Sequence, residues 1–222
     1  MQDLQNLEIF EIEVLELLNS IRVLDNLFFG GGTMLRLCHN LNRYSTDLDF
    51  WISPSTDVKK LNSKIKTELQ NNYRVTDAAN KKYTLLYEFR SDRVSRNLKI
   101  EIRKEQSEFE WEKKIAFSRY ADKQVLVKGL TLSQMMKNKT EALISRKLIR
   151  DCFDIEFLLM RGVKLPDDKE KLIKISDILS NYQDRDYKVI LGSILEENDR
   201  KFYYQNKFSF LKEELTRKIN SV

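Results

Sequence analysis

The chain has 222 residues, 41% hydrophobic and 33% charged, with a net charge of +5, six glycines and two prolines. That is too apolar for a disordered chain and too poor in Gly and Pro for a loop-rich secreted scaffold, with length enough to bury the core of one large or two modest domains. Two cysteines, Cys38 and Cys152, supply neither a disulfide framework nor a four-ligand zinc site, and a single histidine, His39, argues against His-rich metal sites and a Ser-His-Asp triad.

Charge is unevenly distributed. Residues 1–57 carry three basic and nine acidic side chains, which leaves 36 basic and 25 acidic for the remaining 165 residues. A basic body behind a carboxylate-rich front suits a polyanion held beside a metal-binding site, and it equally suits an ordinary solvated surface. The start, Met1-Gln2-Asp3-Leu4, has no basic leader, and no apolar run reaches the ~18 residues of a membrane span. A cytoplasmic location is the expectation.

Leu4, Leu7, Phe10, Val14, Leu17, Ile21 and Leu24 recur at three- and four-residue steps, with Glu8, Glu11 and Glu16 between them, which predicts an amphipathic helix. The short apolar run Leu27-Phe28-Phe29 ends in Gly30-Gly31-Gly32-Thr33, after which Met34 to Leu37 restarts a helix. Asp47 to Ile52 alternates with period two and predicts a strand closed by Pro54, followed by a helix from Val58 to Leu69. Tyr73–Val75, Tyr83–Phe89, Leu98–Arg103 and Val125–Val127 are rich in β-branched and aromatic residues and predict further strands. From Thr131 to Arg161 there is neither Gly nor Pro, and the spacing is helical; beyond Pro166 it is helical again to the end. The expected fold is therefore α+β, a mixed sheet flanked by helices over residues 1–128 followed by a helical region over 129–222.

Three features carry candidate chemistry. The glycines stand between a strand and a helix, where backbone N–H groups can meet phosphate oxygens, but they lack the Lys-Ser/Thr of a P-loop and the spacing of a dinucleotide fingerprint. A glycine run is just as often a tight turn. Asp47 and Asp49 lie two apart on a strand, so both carboxylates project from one face, roughly 7 Å apart. Something positive must sit between them: magnesium, or a neighbouring Arg36 or Arg43. Glu101, between Ile100 and Ile102, adds a third acid from a second strand, as two-metal phosphoryl transfer requires. The third feature is the stripe Lys139, Leu143, Arg146, Arg150 and Asp154, which would share an arc of about 80° on an unbroken helix. It suits triphosphate binding, or simple salt bridging of Arg150 with Asp154. Trp51 and Trp111 read as core or half-buried, His39 as a structural residue or substrate contact, and Phe202-Tyr203-Tyr204 as packing of a terminal helix in preference to base stacking on single-stranded nucleic acid.

Taken in order, Gly31-Gly32-Thr33-Met34-Leu35-Arg36 and Arg43-Tyr44-Ser45-Thr46-Asp47-Leu48-Asp49-Phe50 resemble the signature of the AbiEii/AbiGii toxin family, within the DNA polymerase β-like nucleotidyltransferase superfamily. Lys139-Thr140-Glu141-Ala142-Leu143, Arg146 and Arg150-Asp151-Cys152-Phe153-Asp154 are similar to its downstream block, with Phe153 where Tyr is common. The resemblance runs from about Gly30 to Leu159. It implies a polymerase β-like core in which Asp47 and Asp49 bind magnesium in a two-metal site, with Glu101 as third ligand or as base. Gly31, Gly32, Thr33, Arg36, Arg43 and Ser45 would hold the nucleoside triphosphate. Lys139 would contact its phosphates, and Arg146, Arg150, Asp151 and Asp154 would complete or brace the pocket.

The implied reaction is transfer of a nucleoside monophosphate to an acceptor hydroxyl with release of pyrophosphate. RNA, in particular the 3′ end of tRNA, is the implied acceptor, and an antitoxin the implied partner. The competing class is a nucleotide- or RNA-binding protein that keeps the fold with little turnover. A metal-dependent nuclease would share the acids but would give no reason for the glycine turn.

Overall fold

A computed structural model describes residues 1–105 and 107–221. The chain divides into two compact units, the first built from Met1–Asn40 and Tyr44–Leu130, the second from Leu41–Arg43 and the chain from Thr131 onward.

The first unit begins with α1 (Gln2–Ser20), β1 (Leu27–Gly30), α2 (Gly31–His39), β2 (Asp47–Ile52) and α3 (Val58–Asn72). Five strands follow: β3 (Arg74–Asn80), β4 (Thr84–Arg90), β5 (Leu98–Arg103), β6 (Trp111–Phe117) and β7 (Gln124–Leu130). They form one seven-stranded sheet in the order β3-β4-β5-β2-β1-β7-β6. The sheet is mixed: β2 runs parallel to β5 and β1 parallel to β7, while the other neighbours are antiparallel.

Period-two patterning sorts the central strands into two faces. Leu48, Phe50 and Ile52 of β2, Leu98, Ile100 and Ile102 of β5, and Leu85, Tyr87 and Phe89 of β4 are buried on one of them. There Phe10 of α1 meets Phe89 edge-on at 5.8 Å, and Tyr87 donates to Asn62 of α3 at 2.5 Å. The other face of β2 and β5 carries Asp47, Asp49, Lys99 and Glu101, each half-buried. Burial of apolar side chains on the first face therefore fixes the register that aims the carboxylates out of the second.

β6 lies outside the strands expected from sequence: its Trp111-Glu112-Lys113-Lys114-Ile115-Ala116-Phe117 buries only Ala116. It lies at the sheet edge, where charged and apolar side chains alike face water and little alternation survives. Trp111 is accordingly exposed (41%), stacked on Phe28 at 5.7 Å with Lys128 over its ring, and not a core residue. Trp51 is buried.

The second unit is helical: α4 (Leu132–Arg146), α5 (Ile149–Met160), α6 (Lys169–Ser180), a π-helical turn over Asp186–Leu191, α7 (Glu197–Asn206) and α8 (Ser209–Ser221). Thr131 caps α4, its hydroxyl accepting from the Gln134 amide at 3.1 Å, and Asp168 caps α6 through the Lys171 amide at 3.0 Å. The single helix expected across Arg146 and Arg150 is interrupted. Lys147 takes a left-handed conformation (φ 53°) and Leu148 an extended one, so the stripe from Lys139 to Asp154 is split between two helices. Of the aromatic triplet, only Tyr203 packs inward, 4.7 Å from the Phe153 ring, whereas Phe202 and Tyr204 are exposed.

Candidate active site

Parallel pairing of β2 with β5 sets Asp47 opposite Lys99 and Asp49 opposite Glu101. Registered partners point to the same face, so three carboxylates and one ammonium share a small patch. Lys99 Nζ lies 2.9 Å from Glu101 Oε1 and 3.6 Å from Asp47 Oδ2. Burial alone would lower the Lys99 pKa. The hydrogen bond to Glu101 and the charges of Asp47, Glu101 and Asp49 outweigh it and hold the ammonium above the ordinary lysine value. Lys99 is not among the site residues expected from sequence, which are the acids alone at this patch. Its signal was there, since Lys99-Ile100-Glu101 alternates on a strand and must put Lys99 beside Glu101.

The glycine turn is built around Asp49. β1 ends at Gly30, which pairs with Asp49, and α2 begins at Gly31. Gly31 has φ +73°, and a Cβ there would fall 2.1 Å from Asp49 Oδ2. A Cβ on Gly30 would fall 2.4 Å from the Trp51 ring. The backbone is thus laid against the carboxylate and its neighbour as only glycine allows. Thr33 Oγ1 donates to the Asp47 carbonyl at 2.7 Å, tying the first turn of α2 to the start of β2. The result is a helix amino terminus, whose first N–H groups have no partner within the helix, held beside the Asp49 carboxylate. Ser45 is half-buried just before β2.

Arg36 leaves α2 toward α1. Its Nε donates to Glu8 Oε2 at 2.6 Å and its guanidinium covers the Tyr44 ring at 4.0 Å, while Glu8 Oε1 accepts from Ser118 at 2.6 Å. One turn on, Glu11 is buried (1% exposed) and its Oε1 finds no hydrogen-bond donor. Burial raises its pKa well above the ordinary 4.5, the charges of Glu8 and Asp47 add to this, and Arg36 opposes it. Two of the acids expected between the apolar positions of α1 are therefore inside, braced by α2. His39 is buried near the end of α2.

Within the second unit, the downstream block forms a buried ion network. Arg43 forks onto Asp154, Nε to Oδ1 at 2.6 Å and Nη2 to Oδ2 at 2.7 Å. Lys139 Nζ lies 2.6 Å from Asp154 Oδ2 and 3.7 Å from Asp151 Oδ1, and Arg146 forks onto Asp151 at 2.7 and 2.8 Å. Burial would raise the Asp154 pKa, but Arg43 and Lys139 overcome it and hold the carboxyl below its usual range. The sequence proposal of Arg150 as the partner of Asp154 gives way to Arg43 and Lys139. Arg150 is half-buried in the first turn of α5. The break at Lys147 lets α4 and α5 pack together, so Lys139 meets Asp154 across two helices rather than along one.

The donor set on β2 fits magnesium. Asp47 and Asp49 offer hard carboxylate oxygens on one face, beside amides suited to phosphate, and magnesium is held by one or two carboxylates together with substrate phosphates. The patch already gathers a cation in the Lys99 ammonium. Among the described residues, no three acidic, His or Cys side chains are grouped closely enough to hold a metal ion, so Glu101 does not join Asp47 and Asp49 in a three-ligand set here. Among those residues, too, no helix is long and apolar enough to cross a membrane.

Solved structures share the fold. The crystal structure of JHP933 from Helicobacter pylori aligns with TM-score 0.53 and 18% identity over 96% of this chain and 95% of that one. MenT4, a nucleotidyltransferase toxin from Mycobacterium tuberculosis H37Rv, aligns with TM-score 0.59 and 16% identity over 98% of this chain and 87% of that one. No curated protein sequence matches the chain. The profile of the nucleotidyl transferase AbiEii toxin family, of type IV toxin–antitoxin systems, matches residues 17–219. With carboxylates, glycine turn and downstream block all inside that match, the chain belongs to the AbiEii family and is a nucleotidyltransferase of the toxin kind.

Proposed function

We propose that the enzyme transfers a nucleoside monophosphate from a magnesium-bound triphosphate to a hydroxyl of RNA, the 3′ end of tRNA being the leading acceptor. The observation that carries this reading is the glycine turn pressed against Asp49, an arrangement that suits phosphate at the start of α2 beside a metal held by the aspartates. A nuclease needs the acids but not the turn. In this reading Asp47 and Asp49 hold magnesium, which supplies Lewis-acid polarisation of the phosphoryl oxygens. Gly31, Gly32 and Thr33 bind triphosphate oxygens through the first turn of α2.

The acceptor oxygen attacks the α-phosphorus, the bond from that phosphorus to the bridging oxygen of the β-phosphate breaks, and pyrophosphate leaves with the electron pair. We assign the acceptor proton to Glu101, across from Asp49. Arg36 positions α2 through Glu8, and the network of Arg43, Lys139, Arg146, Asp151 and Asp154 orders the second unit; contact of Lys139 with phosphate is the role the family resemblance adds. The basic surplus beyond residue 57 suits an RNA acceptor by electrostatic attraction. A cognate antitoxin is the proposed partner and the cytoplasm the proposed place of action.

The test is incubation of the protein with total tRNA, magnesium and each α-labelled nucleoside triphosphate in turn, with Asp49→Asn alongside. Label on tRNA from one nucleotide, lost by at least about a hundredfold in Asp49→Asn, is the expected result. Equal labelling by the variant would remove Asp49 from the site. Labelling of a non-RNA acceptor, with none on RNA, would reject the RNA assignment while leaving the transfer chemistry.

A further inference from the structure

Three carboxylates on two adjacent strands repel one another unless a cation stands among them. In this protein the cation is supplied by the chain itself. Lys99 stands on β5 directly opposite Asp47 and two residues before Glu101, 3.6 and 2.9 Å from their oxygens, and its side chain is only one-third exposed (32%). On the far side of β5, β4 sets Glu88 in register with Lys99, and Glu88 Oε1 accepts from Asn97 at 2.5 Å. The ammonium is thus tethered on the catalytic face of the sheet, at a distance from Asp47 that a divalent ion would have to share.

We propose that Lys99 is a built-in counter-cation that makes divalent-metal binding at Asp47 and Asp49 depend on nucleotide. The proposal rests on the reading of those two aspartates as the metal-binding pair. Without nucleotide, a divalent ion must enter against the fixed positive charge of Lys99 and take Asp47 from it. A triphosphate brings its own negative charge and offers the Lys99 ammonium new oxygen partners, so metal and nucleotide bind each other's complex better than the bare protein. By linkage, the factor by which nucleotide strengthens metal binding equals the factor by which metal strengthens nucleotide binding. The enzyme then holds little metal at rest and assembles its charged centre only with substrate present.

The experiment is titration of the full-length protein with Mn2+, free metal being followed by electron paramagnetic resonance. It compares wild type, Lys99→Met, Lys99→Gln and Lys99→Arg, and each neutral variant combined with Asp49→Asn. Without nucleotide, Lys99→Met and Lys99→Gln should bind Mn2+ on the order of tenfold more tightly than wild type, and Lys99→Arg should bind like wild type. Non-cleavable α,β-methylene analogues of the four nucleoside triphosphates, added together, should strengthen Mn2+ binding more in wild type than in the neutral variants.

Unchanged or weaker Mn2+ binding in both neutral variants, with binding still abolished by Asp49→Asn, would overturn the role of Lys99 and leave the metal pair intact. Equal enhancement by nucleotide in wild type and neutral variants would overturn the coupling. Mn2+ binding indifferent to Asp49→Asn would reject the metal pair itself, and the proposal with it.

Discussion

Glu11 is an acid in a place that disfavours its charge. It is buried, one of its oxygens has no donor, and Glu8 and Asp47 are its charged neighbours, with Arg36 only partly offsetting them. Its folded pKa is raised, so between the ordinary 4.5 and that raised value the native protein keeps a proton that the unfolded chain has released. Stability must then fall as pH rises through this window, by about 1.4 kcal/mol per pH unit for one proton. Glu11→Gln copies the shape of the neutral acid and cannot ionise. In urea unfolding at a series of pH values, the variant should match wild type near pH 4.5 and become progressively more stable relative to it toward neutrality. Parallel pH profiles for the two proteins would show that Glu11 is ionised and paired in the native state.

At the scale of elements, the turn from β1 into α2 is where local geometry and chemistry coincide. A methyl group at Gly31 must occupy a left-handed position and lie 2.1 Å from Asp49 Oδ2 and 2.8 Å from Asp49 Cβ and Cγ. Neither side yields cheaply, because Asp49 is fixed by pairing with both Gly30 and Glu101. Gly31→Ala should destabilise by about 1–3 kcal/mol and reduce transfer by roughly a hundredfold, more than partial unfolding at assay temperature explains. A thermal melt beside the labelling assay separates the two effects. Wild-type turnover in the variant would mean that Asp49 need not hold this position.

The same turn shows how much the sequence conveyed. The strand of Asp47 and Asp49, the glycine turn and the strand of Glu101 were legible because each combines an alternating or punctuated pattern with few competing conformations. β6 was not, since an edge strand with one buried residue leaves almost no hydrophobic period to read. The break at Lys147 was hidden as well. No Gly or Pro marks it, and a lysine in the left-handed region gives no compositional signal. Nor was the burial of Glu8 legible, because it depends on Arg36 and Ser118 arriving from distant parts of the chain.

For the whole molecule, the chain path decides what can fold alone. Leu41–Arg43 belongs to the second unit although the chain on both sides belongs to the first. Arg43 is fully enclosed there, forked onto Asp154 and bridged by its backbone to Leu195. A fragment beginning at Thr131 keeps Asp154, Lys139 and Asp151 but loses the guanidinium that supplies two of the hydrogen bonds to Asp154. Removing one partner from a buried ion pair costs about 3–5 kcal/mol, a large share of the 5–15 kcal/mol by which a domain is stable. Such a fragment should therefore show helical far-ultraviolet dichroism without a cooperative urea transition. In the intact chain, Arg43→Met should lower the stability of the second unit by the same 3–5 kcal/mol, measured by hydrogen exchange at the amides of α5. A fragment as cooperative as the second unit of the intact protein would mean that Lys139 alone suffices to satisfy Asp154 and that Arg43 adds little to the stability of this unit.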